Sequence, residues 1–270
     1  MTAPRSMTAV ANVAGFMYHD VTDEPDSSGF LQAGARAYKL SRRAFELHLA
    51  GIAEAPVAPS LVTDVDFSRP GRYLVLTFDD GGKSALATSD TLAQRGWKAH
   101  FFIATSRIGQ RTFLTAAEIR ELAACGHLVG SHSHTHPPIF RDLSVERLGQ
   151  EWRVSRDMIA QILGAPCVTA SVPGGDVSPV VFRSAADAGF AYLFTSDPWL
   201  APRRVAGCWV LGRFAPKTGT SSARVRQLAS FRGWAGALMV RRLKGLARAA
   251  LPRLYREYVR RTSHEAPGAN

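Results

Sequence analysis

Apolar runs of strand character alternate with stretches of helical spacing over most of the chain. Ala9–Val21 predicts a first strand that ends in Met17-Tyr18-His19-Asp20. After a polar loop, Ser41 caps a predicted helix with Phe45, Leu49 and Ile52 on one face. Tyr73–Asp80, read as YLVLTFDD, predicts a buried strand whose C-terminal end delivers two carboxylates, with Gly81 and Gly82 turning the backbone beyond them. A regular alternation follows. Helix is predicted from Ser84 to Arg95, strand over His100–Ile103, and a helix opened by the Thr115–Glu118 capping box and stopped at Gly126. Then come a strand at Leu128-Val129, helix from Ser144 to Leu163, strand over Cys167–Ser171, helix over Ser178–Ala188, and strands at Tyr192–Phe194 and Cys208–Phe214. Such turn-taking implies parallel βα units with functional groups gathered at strand C-termini.

Beyond residue 218 the pattern changes. Leu228, Phe231, Trp234, Leu238, Leu243, Leu246, Ala250, Leu254 and Tyr258 keep helical spacing with arginines between them, and Gly233, Gly236, Gly245 and Pro252 are expected to divide the stretch into two or three helices. Residues 219–270 are therefore read as a basic amphipathic helical extension of a domain over 1–218. Charge sharpens that boundary. Residues 221–270 hold eleven of the lysines and arginines against Glu257 and Glu265, so most of the chain's net +11 lies there. No recognised nucleic-acid-binding motif accompanies this charge, which makes nucleic acid a poor partner. Contact with an anionic membrane surface, or a helix covering the barrel with a solvated basic face, are the two readings it leaves.

The 270 residues suffice for one α/β barrel-sized domain with a small appendage. Cys125, Cys167 and Cys208 are far apart in apolar surroundings, without disulfide or metal-ligand spacing. The apolar N-terminal run continues into Tyr18-His19-Asp20, so it is read as a strand rather than a signal peptide. A cytoplasmic location, free or peripheral on the inner face of the membrane, is expected on that basis.

Candidate chemistry lies in two places. Asp79 and Asp80 end the central strand, and Ser131-His132-Ser133-His134-Thr135-His136-Pro137 sets three histidines at alternate positions. Imidazoles and a carboxylate form a donor set for a divalent transition metal. His132 and His136, four apart, fall on one side of a helical turn or tight loop, and His134 faces elsewhere.

Together these residues resemble the NodB-type polysaccharide deacetylases of carbohydrate esterase family four. Thr77-Phe78-Asp79-Asp80-Gly81 stands where that family has its first signature, and His132–His136 matches its His-Ser/Thr-x-x-His signature, led in by Gly126-His127-Leu128-Val129-Gly130. The resemblance runs from about Tyr73 to Trp199 and implies a distorted, incomplete (β/α) barrel. It implies hydrolysis of an acyl group, N-acetyl foremost, from an amino sugar of a polysaccharide or lipid-linked glycan. It further implies a metal on Asp80, His132 and His136, with Zn2+ expected and Co2+, Ni2+ or Mn2+ as alternatives. Asp79 would be the general base, and a backbone N–H near Gly174 would help hold the oxyanion.

Three departures stand out. The family's Leu-x-x-His acid is missing, because no histidine occurs between His136 and His264. A permuted subset, exemplified by exopolysaccharide deacetylases, takes that histidine from an early Tyr-His strand, which Tyr18-His19 matches, so His19 is the expected catalytic acid. The third signature, Arg-x-Pro-x-Gly, reads Ser171-Val172-Pro173-Gly174-Gly175 and lacks the arginine that orients the base. Arg213 is a candidate substitute, and is grouped with Gly174 and Trp199 as a possible substrate or oxyanion contact. The fourth signature is echoed only loosely by Asp197-Pro198-Trp199. A weak or inactive glycan-binding relative and a small-molecule amidase are the competing functional readings.

Overall fold

The computed structural model describes residues 11–175, 177–251 and 257. Eight strands form one sheet: β1 (Asn12–Tyr18), β2 (Arg72–Phe78), β3 (His100–Ile103), β4 (Leu128–Ser131), β5 (Thr169–Ser171), β6 (Tyr192–Phe194), β7 (Arg203–Val205) and β8 (Cys208–Leu211). Their order is β1-β2-β3-β4-β5-β6-β8-β7, parallel throughout except for the β7–β8 hairpin. The helices are α1 (Arg42–Ala53), α2 (Ala85–Ala93), α3 (Ala116–Ala124), α4 (Val145–Leu163), α5 (Pro179–Asp187), α6 (Ser222–Ala229) and α7 (Trp234–Ala250). The sheet is curled. After β8 the chain returns to β1, where Met17 N–H donates to Phe214 O and Phe214 N–H to Gly15 O, each at 2.8 Å. This is the incomplete (β/α) barrel that the sequence implies.

Local sequence explains the element boundaries. Ser41, Ser144, Ser178 and Ser221 accept a hydrogen bond from the third residue of the helix that each precedes. Thr115 and Glu118 close a full capping box on α3, and α4 ends on left-handed Gly164. The strands bury both faces, as parallel strands must. Outward residues such as Phe16, Tyr18, Leu76, Phe78 and Phe101 pack under the helices, while Val13, Val75, Phe102, Phe194 and Leu211 fill the inside of the curl.

Several elements differ from expectation, and β5 starts at Thr169 rather than Cys167. β1 and β8 are shorter than Ala9–Val21 and Cys208–Phe214, and the edge strand β7, with its exposed Arg203 and Arg204, has too little apolar character to announce itself. Between α6 and α7 the chain breaks at Gly233, with φ of +80°, whereas Gly236 and Gly245 lie within α7. Ala9, Pro252, Leu254 and Tyr258 lie outside the described residues. α6 and the start of α7 join the barrel's own core through Val225, Leu228, Ala229 and Trp234.

Candidate metal centre

Register assembles the site. β1 and β2 pair Tyr18 with Phe78, and Asp79 N–H donates to Tyr18 O at 2.9 Å, so His19 and Asp79 leave their strands at one level. Ala104 N–H reaches Asp80 O at 3.2 Å and His132 N–H reaches Ile103 O at 2.9 Å, which brings the β2, β3 and β4 ends to that level too. Along β2 the alternation that buries Val75 inside the curl carries Thr77 and then Asp79 inward, grading from apolar to charged toward the rim.

Asp80 turns away from that row by adopting φ of +79°. Five described non-glycine residues have positive φ, and three of them, Asp80, Ser133 and His136, belong to this site. Such backbone is sterically disfavoured and persists only where its surroundings impose it. Around the histidines those surroundings are visible. Ser133 Oγ accepts from His136 N–H at 3.1 Å. Buried Glu151 of α4 accepts from His134 N–H (2.9 Å), Thr135 N–H (2.7 Å) and the Thr135 hydroxyl (2.6 Å). Sequence reasoning missed Glu151. Its signal was a lone acid on the buried face of α4 between Leu148 and Trp152.

The donors converge. Asp80 Oδ1 lies 3.3 Å from His132 Nε2 and 3.6 Å from His136 Nε2, and all three ligand atoms lie within 4.8 Å of one another. Tetrahedral ligands at ~2.0–2.1 Å from a metal sit about 3.3–3.5 Å apart, so this spacing fits a shared ion. Asp80 Oδ1 is buried and has no hydrogen-bond partner, an arrangement that is costly without a cation. His132 Nδ1 lies 3.0 Å from Ser171 O, which turns Nε2 toward the cluster. Burial drives the His136 pKa down to about 4, keeping its ring neutral and able to ligate. Burial opposes charge on His132 as well, but the Asp79 and Asp80 carboxylates outweigh it and raise that pKa. The donor set therefore fits a divalent ion. His134 stands apart, its Nδ1 2.9 Å from the Thr105 hydroxyl.

Asp79 is held from the other side. Arg213 reaches it with two parallel bonds, Nη1 to Oδ1 at 2.7 Å and Nη2 to Oδ2 at 3.0 Å. The Ser171 hydroxyl adds a bond to Oδ2 at 3.0 Å and accepts one from Arg213 Nη2 at 2.6 Å. Thr77 Oγ1 and Thr195 O take the remaining guanidinium donors at 2.8 and 3.0 Å. Burial alone would push the Asp79 carboxyl up, yet the guanidinium and the His132 imidazole bring it below the usual carboxylate range. The Asp80 carboxyl is lowered as well, its histidine neighbours outweighing the penalty of burial. The grouping of Arg213 with substrate contacts needs correction: it is fully buried and orients Asp79 instead.

His19 stands at the β1 end, its ring packed on Tyr38 at 4.7 Å. Its Nδ1 is buried without a hydrogen-bond partner. Gly174 and Gly175, both left-handed, form the turn after β5. Trp199 packs against the main core beneath Arg203, and no hydrogen bond joins it to the Asp–His cluster.

Fold and site together define the class: a curled (β/α) barrel with a carboxylate–histidine centre at its strand C-termini. Residues 67–193, a little under half of the chain, match the polysaccharide deacetylase family as a NodB-like domain. It is 32% identical over 102 residues to the peptidoglycan-N-acetylglucosamine deacetylase PgdA of Listeria monocytogenes, a match covering 37% of this chain and 21% of that protein. The chain thus spans about a fifth of the length of that curated relative. Two solved structures share the fold. IcaB from Ammonifex degensii superposes with a TM-score of 0.68 at 22% identity, covering 81% of this chain and 97% of that one. The Streptococcus pyogenes deacetylase PplD, solved with acetate, gives 0.66 at 18% identity, covering 81% and 98%.

Proposed function

We propose that this chain is a metal-dependent hydrolase that removes an acyl group, N-acetyl foremost, from an amino sugar of a polysaccharide or lipid-linked glycan. The observation that carries the proposal is the unpartnered, buried Asp80 oxygen between two imidazoles, one residue from a carboxylate gripped by Arg213. Asp80, His132 and His136 would hold the ion, Zn2+ foremost with Co2+, Ni2+ or Mn2+ as alternatives. A divalent ion there supplies Lewis acidity toward the acyl carbonyl. Asp79, kept ionised by Arg213, accepts the proton of the attacking water. His19 donates a proton to the departing amine from the neighbouring strand end. Backbone N–H groups of the Gly174–Gly175 turn are the candidate oxyanion donors, and Trp199 is the candidate wall of the acyl pocket.

A guanidinium on Asp79 removes the main reason for reading the chain as an inactive glycan-binding relative, since that reading rested on the missing third-signature arginine. The partition into a catalytic domain over 1–218 and a basic extension over 219–270 belongs to the proposal, as does a peripheral location at the inner face of a membrane.

The test is metal content and acetate release from partly N-acetylated glucosamine oligomers. The intact chain should bind one divalent ion and release acetate. Asp79→Asn should keep the ion and lose turnover, while His132→Ala should lose the ion and His134→Ala should not. Equal metal loss from both histidine variants would show the ligand set to be wrong, and a fully loaded chain that releases no acyl group from any glycan would favour a binding role.

A further inference from the structure

α7 has two unlike sides. Trp234 and Ala237 are buried, and the Trp234 indole N–H donates to Leu228 O at 2.9 Å while its ring meets Phe16 edge-on. Arg241, one turn further on the same side, reaches the active-site rim. Its Nε donates to Asp197 Oδ1 at 2.8 Å, and its Nη2 to Gly175 O at 2.6 Å and the Ser196 hydroxyl at 3.1 Å. These residues follow β5 and β6, so α7 is fastened beside the strand ends that carry Ser171 and the Gly174–Gly175 turn.

The other side faces solvent and is apolar. Met239, Leu243 and Leu246 follow one another at one-turn spacing with Val240 beside them, each more than half exposed. Leu251 continues the run at 55% exposure, whereas the other exposed large hydrophobics among the described residues, Leu47, Val145 and Val180, are scattered. Exposed Arg242 and Lys244 flank the stripe, and α7 contains no acidic residue. Concentrated exposed apolar surface marks an interaction site.

The partner is constrained by both features at once. Nucleic acid would use the charge and leave the aliphatic stripe in water. A second copy of the chain packed stripe to stripe would bring the flanking cations of two helices together with no acid in either to offset them. An anionic lipid surface meets both demands, because apolar side chains enter the acyl boundary while lysine and arginine meet the headgroups. No described helix is long and apolar enough to cross a membrane, so the helix would lie on the surface rather than span it.

We propose that α7 is an interfacial helix that docks the Met239–Val240–Leu243–Leu246 stripe into an anionic bilayer, and that Arg241 fixes the catalytic rim beside that surface. Docking stands on the helix alone. The consequence that the enzyme works on glycan carried at the lipid surface rests on the proposed deacetylase reading.

Sedimentation of the full chain with vesicles tests it, using phosphatidylcholine with and without phosphatidylglycerol at low and physiological salt. The intact chain should sediment with the anionic vesicles and much less with the neutral ones. Leu243→Asn/Leu246→Asn and, separately, Arg242→Glu/Lys244→Glu should each weaken partitioning about tenfold or more, and Leu47→Asn should leave it unchanged. All these positions are exposed, and thermal melts will confirm that the variants fold. No sedimentation at low salt would overturn the proposal, as would a stripe variant that binds like the intact chain, which indicates adsorption by charge alone. So would a dimer in solution that the stripe variant dissolves while vesicle binding is unchanged. Acetate release from a soluble oligomer, measured on the same samples, should not change in the stripe variant. Its absence from the intact chain would sink the deacetylase reading and leave the docking result intact.

Discussion

Replacing Arg213 by Ser should damage stability and catalysis together, and an arginine at position 171 should restore both. Arg213 is fully buried and its guanidinium makes five hydrogen bonds, two of them to the Asp79 carboxylate. Its loss strands a buried anion, and removing one partner of such a pair costs about 3–5 kcal/mol. In a chain of this size each kcal/mol moves Tm by roughly 2–4 °C, so a fall of about 6–20 °C is expected in calorimetry. The catalytic effect has a definite direction. Without the guanidinium, burial becomes the dominant influence on Asp79 and its carboxyl pKa rises. A protonated base cannot accept the water's proton, so the acid limb of the kcat/KM profile should move to higher pH and kcat at neutral pH should fall. Ser171 Oγ already touches both Asp79 Oδ2 and Arg213 Nη2, so a side chain at 171 is aimed at the same carboxylate. Ser171→Arg combined with Arg213→Ser should therefore recover kcat by about tenfold or more over Arg213→Ser alone, and return part of the Tm. An Arg213→Ser protein with an unmoved acid limb and near-normal kcat would refute the reasoning, because Asp79 would then not be the base that this guanidinium serves.

Other outcomes follow from the same geometry. Glu151→Ala should weaken metal binding by about 10–100-fold, read by competition with a zinc indicator, because the loop carrying His132 and His136 loses three bonds to one carboxylate. Unchanged affinity would show that the loop keeps its shape unaided. His19→Ala should lower kcat by roughly 10²–10⁴-fold and remove the alkaline limb while metal stays bound, and a kcat near that of the intact enzyme would exclude it as the acid. Acid should unfold the protein partly through His100 and His127, whose burial lowers both pKa values to about 4. Below about 6.5 the unfolded imidazoles take up protons that the folded ones refuse, so stability falls with pH from there to about 4. The contribution of His100 is on the order of 3 kcal/mol. Urea midpoints that do not change between pH 7 and 4.5 would contradict this.

The parts of the molecule legible in the sequence are those where one local signal suffices. The YLVLTFDD run, the capping box at Thr115–Glu118 and the serine caps each specify their own element, and the barrel follows from their alternation. Asp79 and Asp80 are adjacent, and the histidines lie within five residues of one another, so the cluster could be read as a motif. Arg213 lies 134 positions from Asp79, and Glu151 stands on a different helix from the loop that it holds. Neither pairing leaves a periodicity to read, because the contact exists only once the sheet has curled. α7 shows the opposite failure. Its two internal glycines look like breaks, and each costs a helix about 1 kcal/mol relative to alanine. Tertiary anchoring at Trp234 and Arg241 outweighs that, and a side chain at either glycine would meet open space.

The relocated guanidinium also ties the chemistry to the closure of the barrel. Asp79 sits on the inner face, where the ends of β5, β6 and the segment after β8 all look toward one carboxylate. What the carboxylate requires is a buried planar cation with two parallel donors, and several surrounding strand ends could supply it. Supplying it from position 213 imposes a demand elsewhere. The chain after β8 must lie against β1, and a Cβ on Gly15 would come within 2.6 Å of Gly212 O and 3.0 Å of Arg213 Cγ. The absence of a side chain at position 15, an apparently neutral feature of β1, is therefore part of how the Asp79 carboxylate is held. The rings of Phe102 and Phe194, each 5.7 Å from the guanidinium carbon, form the floor on which it rests. The inner core thus has two roles: it fills the curl, and it fixes the height at which the cation meets Asp79.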